Sequence, residues 1–295
     1  MTQTIAFVGL GAMGSAMAQT LITKQMRVVG YDVRKEAITR LEEAGGRGAE
    51  SPAAAAKDAD VLVLMVVNAD QAEDVLFAKG ALEALKPAAT VIVMCTCAPD
   101  RVVEIGARVE KAGRSIVDAP VSGGVAGAKS GTLTVMASGR QTVFDGVKPI
   151  LAAMGSNLFH LGEKPGQGAA MKTVNQLLAG VHVAVAAEAL AFAERAGIDA
   201  KLALEIVSGS AAQSWMLKAR GPRMVEYDGV VTSAVEIFVK DLGLVLDAGR
   251  AMRMGLPLAA AAHQLFLSAA AIGLGAQDDS QVVETYRVLG GKGGR

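Results

Sequence analysis

One stretch near the start, TIAFVGLGAMGSAM, limits what the chain can fold into more than any other feature. A short apolar run ends in glycines at 9, 11 and 14, and the residues after them read as the start of a helix. Each glycine answers a different steric demand: Gly9 permits a tight turn, Gly11 lets backbone approach a pyrophosphate, and Gly14 lets helix and strand pack closely. The loop Gly9, Leu10, Gly11, Ala12, Met13 and Gly14 then opens a helix whose first N–H groups favour phosphate. GxGxxG alone is a weak signal. Here a second apolar run, RVVGYD, ends in Asp32, where a carboxylate can accept hydrogen bonds from a ribose diol. An acid there repels a 2′-phosphate, so the reading is NAD, with Arg34 leaving NADP possible.

Through the first half, apolar runs alternate with amphipathic segments, the pattern of βαβ units around a parallel sheet. Strands are expected in TIAFVG, RVVGYD, DVLVLMVV, TVIVMC, SIVDAPV, LTVMAS and NLFHLG, with helices over residues 11–24, 35–44, 52–57 and 100–111. Ser51 before Pro52 reads as an N-cap followed by a proline in the first turn. After GEKPGQG, residues 162–168, the alternation stops and Ala-, Leu- and Met-rich sequence continues at helical period. The expected architecture is α/β: a Rossmann-type doubly wound sheet over residues 1–164, then an all-α C-terminal domain over residues 165–295 that opens with a long interdomain helix. The tail GGKGGR is expected to fray.

Several function classes drop out. Lys plus Arg and Asp plus Glu each number 29, so no net field favours nucleic acid or an anionic membrane. The apolar stretches 177–193 and 256–276 contain His182, Glu188, His263 and Gln264, which fits buried helices better than membrane spans. The N-terminus runs straight into a strand and a glycine turn with no export signal, so a cytoplasmic location is expected. On a strand, Cys95 and Cys97 face one way and Thr96 the other. Residues two apart do not readily meet disulfide geometry, so both cysteines read as small apolar side chains. Three scattered histidines without HExxH or CxxC predict no metal site. GGVAGAKS, residues 123–130, nearly matches the phosphate-binding GxxxxGK[ST] pattern. Ala128 stands where the second glycine is required, which makes a nucleotide hydrolase the weaker reading.

At 100° per residue, Lys172, Asn175, Gln176 and Ala179 share one face of the helix that follows residue 168. A lysine near a helix N-terminus opposes the dipole, so stability alone does not recommend it. Four motifs, GLGAMG, DAPVSGG (118–124), GQGAAMKTVNQ (166–176) and KDLGLVLD (240–247), resemble in order and separation those of the β-hydroxyacid dehydrogenases of the 3-hydroxyisobutyrate dehydrogenase type. The resemblance spans essentially the whole chain.

What it implies is specific. Ser122, Gly123 and Gly124 would receive the substrate carboxylate through a hydroxyl and backbone N–H groups. Lys172 would be the general acid/base, taking the hydroxyl proton as hydride leaves the same carbon for the nicotinamide. An ordinary lysine, with a pKa of about 10.4, is too protonated at neutral pH for that task. Burial beside a second cation, Lys240, would lower it, and Lys240 would also contact the nicotinamide end of the cofactor. Asn175 would hold the substrate hydroxyl or orient the amine, and Gln176 stands where many members carry a second asparagine. Val67 and Asn68 would lie by the adenine ribose or pyrophosphate, and Thr96 by the nicotinamide ribose. Apart from the resemblance, SWMLKARG, residues 214–221, and Phe238 could wall the substrate pocket, with a core or subunit-interface position the equal alternative for Trp215.

NQLLAGVHVA, SWML and VEIFVKDLGLVLD are most similar to the branch acting on L-threonate, which implies oxidation of L-threonate to 2-dehydro-L-erythronate. The other implied substrates are 3-hydroxyisobutyrate and tartronate semialdehyde, and a non-enzymatic dinucleotide sensor is the alternative of a different class. The small-molecule partner is thus a short hydroxy acid. A helical domain this apolar also suggests burial against another copy, as a homodimer or homotetramer.

Overall fold

Side chains alternate along the first strands so that both faces of one sheet are apolar, and helices cover each face. In the computed structural model, which describes residues 3–289, the first elements are β1 (Thr4–Val8), α1 (Ala12–Thr23), β2 (Arg27–Tyr31), α2 (Lys35–Glu43), β3 (Arg47–Gly48) and α3 (Pro52–Ala56). They continue with β4 (Val61–Leu64), α4 (Ala69–Glu73), α5 (Ala81–Ala84), β5 (Thr90–Val93), α6 (Pro99–Lys111) and β6 (Ser115–Asp118). The strands form one parallel sheet in the order β3-β2-β1-β4-β5-β6. The winding reverses between β1 and β4, which opens a crevice at the C-terminal ends of these strands. Ile5, Phe7, Val61, Val63, Ile92 and Val117 enter one core, and Ala6, Val8, Leu62, Leu64, Val91 and Val93 enter the other. This is the doubly wound Rossmann sheet expected, buried on both faces as parallel sheets are. Ser51 caps α3, accepting from Ala54 N–H at 3.0 Å.

The apolar run SIVDAPV does not form one strand. β6 stops at Asp118, and beyond Ala119 and Pro120 the chain begins β7 (Val121–Ser122); a proline has no N–H to donate to a continuing ladder. Next come α7 (Gly124–Ser130), β8 (Thr134–Ala137), α8 (Gln141–Met154) and β9 (Asn157–His160). β7 pairs antiparallel and β9 parallel with β8, making a separate three-stranded sheet. Because α7 takes up nearly all of GGVAGAKS, no loop is left there to wrap a phosphate, and the nucleotide-hydrolase reading falls away.

α9 (Gln167–Arg195) is 29 residues long. Two compact units, residues 1–172 and 173–295, part within it, eight residues past the sequence-based boundary at 164. The second unit contains the rest of α9 with α10 (Ala200–Ser208), α11 (Trp215–Val225), α12 (Val235–Ala251), α13 (Pro257–Ala269) and α14 (Val283–Leu289). Val183, Ala187, Leu190, Leu242 and Phe266 lie in its core. Phe238 corrects an expectation: it is buried and stacks on Phe266 with ring centroids 4.9 Å apart, so it belongs to the core rather than to a pocket wall. Trp215 is exposed at the first position of α11. α9 and the stretch Pro257–Leu274 are long and apolar enough to cross a membrane by length and composition, although half of the apolar window of α9 is buried within the protein. The tail GGKGGR lies outside the described residues.

Candidate active site

The three glycines of the first turn are not equivalent. A Cβ on Gly9, whose φ is +95°, would sit 2.3 Å from Met65 O, and one on Gly14 would sit 1.9 Å from Gly9 O. The protein's own backbone therefore demands glycine at both places. A Cβ on Gly11 would meet nothing nearer than Arg34 Nη2 at 3.9 Å. The space beside Gly11 is thus left open at the helix start, as a pyrophosphate cradle requires. α1 has no side-chain cap and no acid in its first turn, although its first N–H groups have no intrahelical partners. An arriving phosphate would find those donors unopposed by any carboxylate of that turn.

Asp32 lies just past β2 and is nearly buried. Its Oδ2 accepts from Leu10 N–H at 2.7 Å, and its Oδ1 accepts from Arg34 N–H at 2.9 Å and Arg34 Nε at 3.1 Å. Burial alone would raise the carboxyl, but the hydrogen bonds from Arg34 and Leu10 outweigh it and hold the group below its ordinary value. Asp32 is therefore an anionic acceptor at neutral pH, fixed at the edge of the glycine turn. Arg34 Nη2 reaches Leu10 O at 3.2 Å. The open glycine, the uncapped helix and the fixed acid together fit NAD(P).

Val67 and Asn68 follow β4. Val67 N–H donates to Gln71 Oε1 at 3.0 Å, and Asn68 Oδ1 caps α4 by accepting from Gln71 N–H at 2.9 Å. Thr96 lies three residues past β5, between the buried Cys95 and Cys97. Their sulfurs are 3.4 Å apart on one side, and no disulfide joins them. Among the described residues, no group of three or more His, Cys, Asp or Glu side chains could hold a metal ion.

Lys172 is 7% exposed, and its Nζ donates to Val121 O at 2.7 Å. This hydrogen bond brings the amine to the segment that continues into Ser122, Gly123 and Gly124, where both glycines take left-handed φ, +130° and +63°. Behind it sits a residue to which sequence reasoning gave no role. Asp118 is fully buried, and its Oδ2 accepts from Gly166 N–H at 3.0 Å, Ala169 N–H at 2.8 Å and Ser138 Oγ at 3.3 Å. Ser138 Oγ in turn accepts from Gly168 N–H at 2.9 Å. Burial pushes the Asp118 carboxyl up to about 6 against these hydrogen bonds. The available sequence signal was an acid at the end of an apolar strand.

In the second unit, Asn175 Nδ2 donates to Gln176 Oε1 at 2.8 Å, and Gln176 Nε2 donates to Asp241 Oδ2 at 2.5 Å. Lys240 Nζ pairs with Asp241 Oδ1, also at 2.5 Å. Gln176 and Asp241 are both buried. Gln176 therefore links Asn175 to the acid that meets the charge of Lys240. Asp241 was likewise without a role in the sequence reading, although it adjoins Lys240.

A Rossmann sheet with an open glycine cradle and a fixed acid after β2 defines a dinucleotide-dependent oxidoreductase. Residues 4–162 match the family model for the NAD binding domain of 6-phosphogluconate dehydrogenase, and residues 166–286 match that for NAD-binding of NADP-dependent 3-hydroxyisobutyrate dehydrogenase. The chain is 43% identical over 287 residues to L-threonate dehydrogenase of Cupriavidus necator, covering 97% of each chain. To L-threonate dehydrogenase of Escherichia coli K12 it is 40% identical, covering 96% of this chain and 94% of that one. A crystal structure of 3-hydroxyisobutyrate dehydrogenase from Salmonella typhimurium matches with a TM-score of 0.91 at 41% identity, covering 96% of this chain and 99% of that one. The chain belongs to the β-hydroxyacid dehydrogenase family of the 3-hydroxyisobutyrate dehydrogenase type, and is an NAD(P)-dependent dehydrogenase acting on a hydroxyl group.

Proposed function

We propose that this dehydrogenase oxidises L-threonate to 2-dehydro-L-erythronate, with Lys172 as general base and NAD preferred over NADP. The observation that carries the chemistry is the buried amine of Lys172 donating to Val121 O at 2.7 Å, one residue before Ser122. In the neutral amine, an N–H given to that carbonyl orients the nitrogen lone pair. Burial favours the neutral over the charged form of an amine. Ser122 Oγ and the N–H groups of Gly123 and Gly124 bind the substrate carboxylate, and Lys172 Nζ takes the proton of the hydroxyl being oxidised. Bound NAD(P)+ supplies the acceptor for the hydride leaving the same carbon.

Asn175 is assigned to the substrate hydroxyl, and Lys240 to the substrate and the nicotinamide end. Val67, Asn68 and Thr96 are assigned to the cofactor, with Gly9 to Gly14 holding the pyrophosphate and Asp32 the adenine ribose. NAD is preferred because the Asp32 carboxylate repels a 2′-phosphate. L-Threonate is supported by the names of relatives at 40–43% identity, and 3-hydroxyisobutyrate is the second reading because a solved relative at 41% identity carries that name. The protein is placed in the cytoplasm, with the NAD(P) it consumes, as a homodimer or homotetramer.

A screen of three- to five-carbon hydroxy acids with NAD and NADP, read by absorbance of the reduced nicotinamide, tests this. L-Threonate with NAD should give the highest kcat/KM; faster turnover of 3-hydroxyisobutyrate would reassign the substrate. Lys172→Ala should lower kcat by roughly 100- to 10,000-fold, and a Lys172→Ala enzyme running at the native rate removes the assigned base.

A further inference from the structure

We propose that Asp118 is a positioning residue for Lys172: its buried carboxylate grips the first turn of α9 and so sets where the lysine amine meets the substrate-binding turn. This rests on the reading of Lys172 as the base. Asp118 Oδ2 receives Gly166 N–H and Ala169 N–H, and Ser138, hydrogen-bonded to the same oxygen, receives Gly168 N–H. The approach is as close as backbone allows. A Cβ on Gly168 would lie 2.4 Å from Met136 O and 3.0 Å from Asp118 Oδ2, and one on Gly166, at φ +96°, would lie 2.9 Å from Pro99 O.

Lys172 follows Ala169 by three residues, on the same face of the helix. Val121, which receives the amine, follows Asp118 by three residues in the facing segment. Two parallel ties thus join two short stretches of backbone, Asp118 to Ala169 and Val121 to Lys172, and a shift of the first tie moves the second.

Capping alone does not explain the arrangement. A helix N-terminus is ordinarily capped by a residue immediately before it, which satisfies the same N–H groups while partly exposed to water. Here the acceptor comes from 48 to 51 residues away. It is a carboxylate withdrawn wholly from water, with Oδ1 lacking a hydrogen-bond partner among the described residues, and such burial is costly. What the distant acid adds over a local cap is registration against the strand end that carries Val121 and Ser122.

The test compares Asp118→Ala, Asp118→Asn and Gly168→Ala, each checked for folding by thermal melting. Asp118→Ala and Gly168→Ala should each lower kcat about 100-fold, the loss that accompanies a misplacement of about 1 Å. The KM for NAD should stay within about threefold, because the glycine cradle is untouched. Asp118→Asn keeps an oxygen able to accept both N–H groups and should recover most of the lost kcat. The double variant should be little worse than either single one, since both break the same tie. A folded Asp118→Ala enzyme with native kcat, or a KM for NAD that rises in step with the fall in kcat, overturns the proposal. Should the alanine variants fail to fold, Ser138→Ala carries the test: it removes one hydroxyl from the tie and should lower kcat about tenfold, and an unchanged kcat is the overturning result. Lys172→Ala separates the two ideas: an inactive Lys172→Ala beside a fully active Asp118→Ala sinks only the positioning role, whereas an active Lys172→Ala sinks the base itself.

Discussion

At the scale of single residues, the cradle separates what the fold needs from what the ligand needs. Gly14 is fixed by the fold, because a methyl group there would lie 1.9 Å from Gly9 O, a backbone atom that cannot turn aside. Gly11 is not fixed by the fold in this way, its nearest neighbour being the flexible tip of Arg34 at 3.9 Å. Gly14→Ala should therefore destabilise the protein by about 3 kcal/mol or more, since overpacking against rigid atoms cannot be relieved by a rotamer change. Gly11→Ala should melt within about 2 °C of the native protein yet raise the KM for NAD at least about tenfold, because its methyl group occupies the space a pyrophosphate would enter. Thermal melts paired with cofactor titrations decide the matter. Equal melting temperatures for the two variants would remove the distinction.

Among elements, a cluster of buried acids and arginines holds the end of α11 against the turn before α14. Asp278 accepts from Thr232 N–H at 2.8 Å, Thr232 Oγ1 at 2.9 Å and Arg223 Nε at 3.0 Å, while Asp279 pairs with Arg220 Nε at 2.7 Å. The adjacent acids shift in opposite directions. Burial would raise Asp278, but the hydrogen bonds from Thr232, Ser280 and Arg223 prevail and hold it at about 2. Burial pushes Asp279 up to about 6, with Arg220 opposing it, and its Oδ2 lacks a partner among the described residues. Asp278 therefore contributes stability that is present above 3.8 and lost as pH falls through 2. Asp279 contributes stability that is present below 3.8 and lost as pH rises through 6. Melting curves across pH should show the native protein losing ground to Asp279→Asn between pH 4 and 6, and to Asp278→Asn below pH 4. Parallel curves for all three proteins would contradict both assignments. None of this network is legible in the sequence, since Arg223 and Asp278 stand 55 residues apart. The same holds for Gln176 with Asp241, 65 apart. β3 and β7 are hidden for another reason: two residues carry no period. The glycine turn with Asp32 and the doubly wound α/β class are legible because their signals are local or recur every few tens of residues.

On the scale of the whole molecule, the α9 surface in the second unit is unfinished as a water-facing helix. Leu178, Val185 and Phe192 recur every seven residues, so they share one face, and they are 51%, 51% and 74% exposed. Leu202 and Ile206 of α10 are exposed as well. Fully burying a wholly exposed side chain of this kind contributes about 1.5–3 kcal/mol; with 51–74% of each still exposed, three from each of two copies would supply a part of what a dimer requires. A heptad stripe suits a second copy of the same helix, because a twofold axis lets one apolar face cover its own equivalent. A lipid surface is the poorer match: a helix lying on one usually has Lys and Arg along its polar face, whereas the face of α9 bearing Asn175 and Gln176 is tied to Asp241. The native protein should sediment at micromolar concentration as a dimer or tetramer, and Leu178→Glu with Phe192→Glu should reduce it to single chains. Native protein that already sediments as single chains, or that floats with anionic vesicles, would show that the stripe serves something other than self-association.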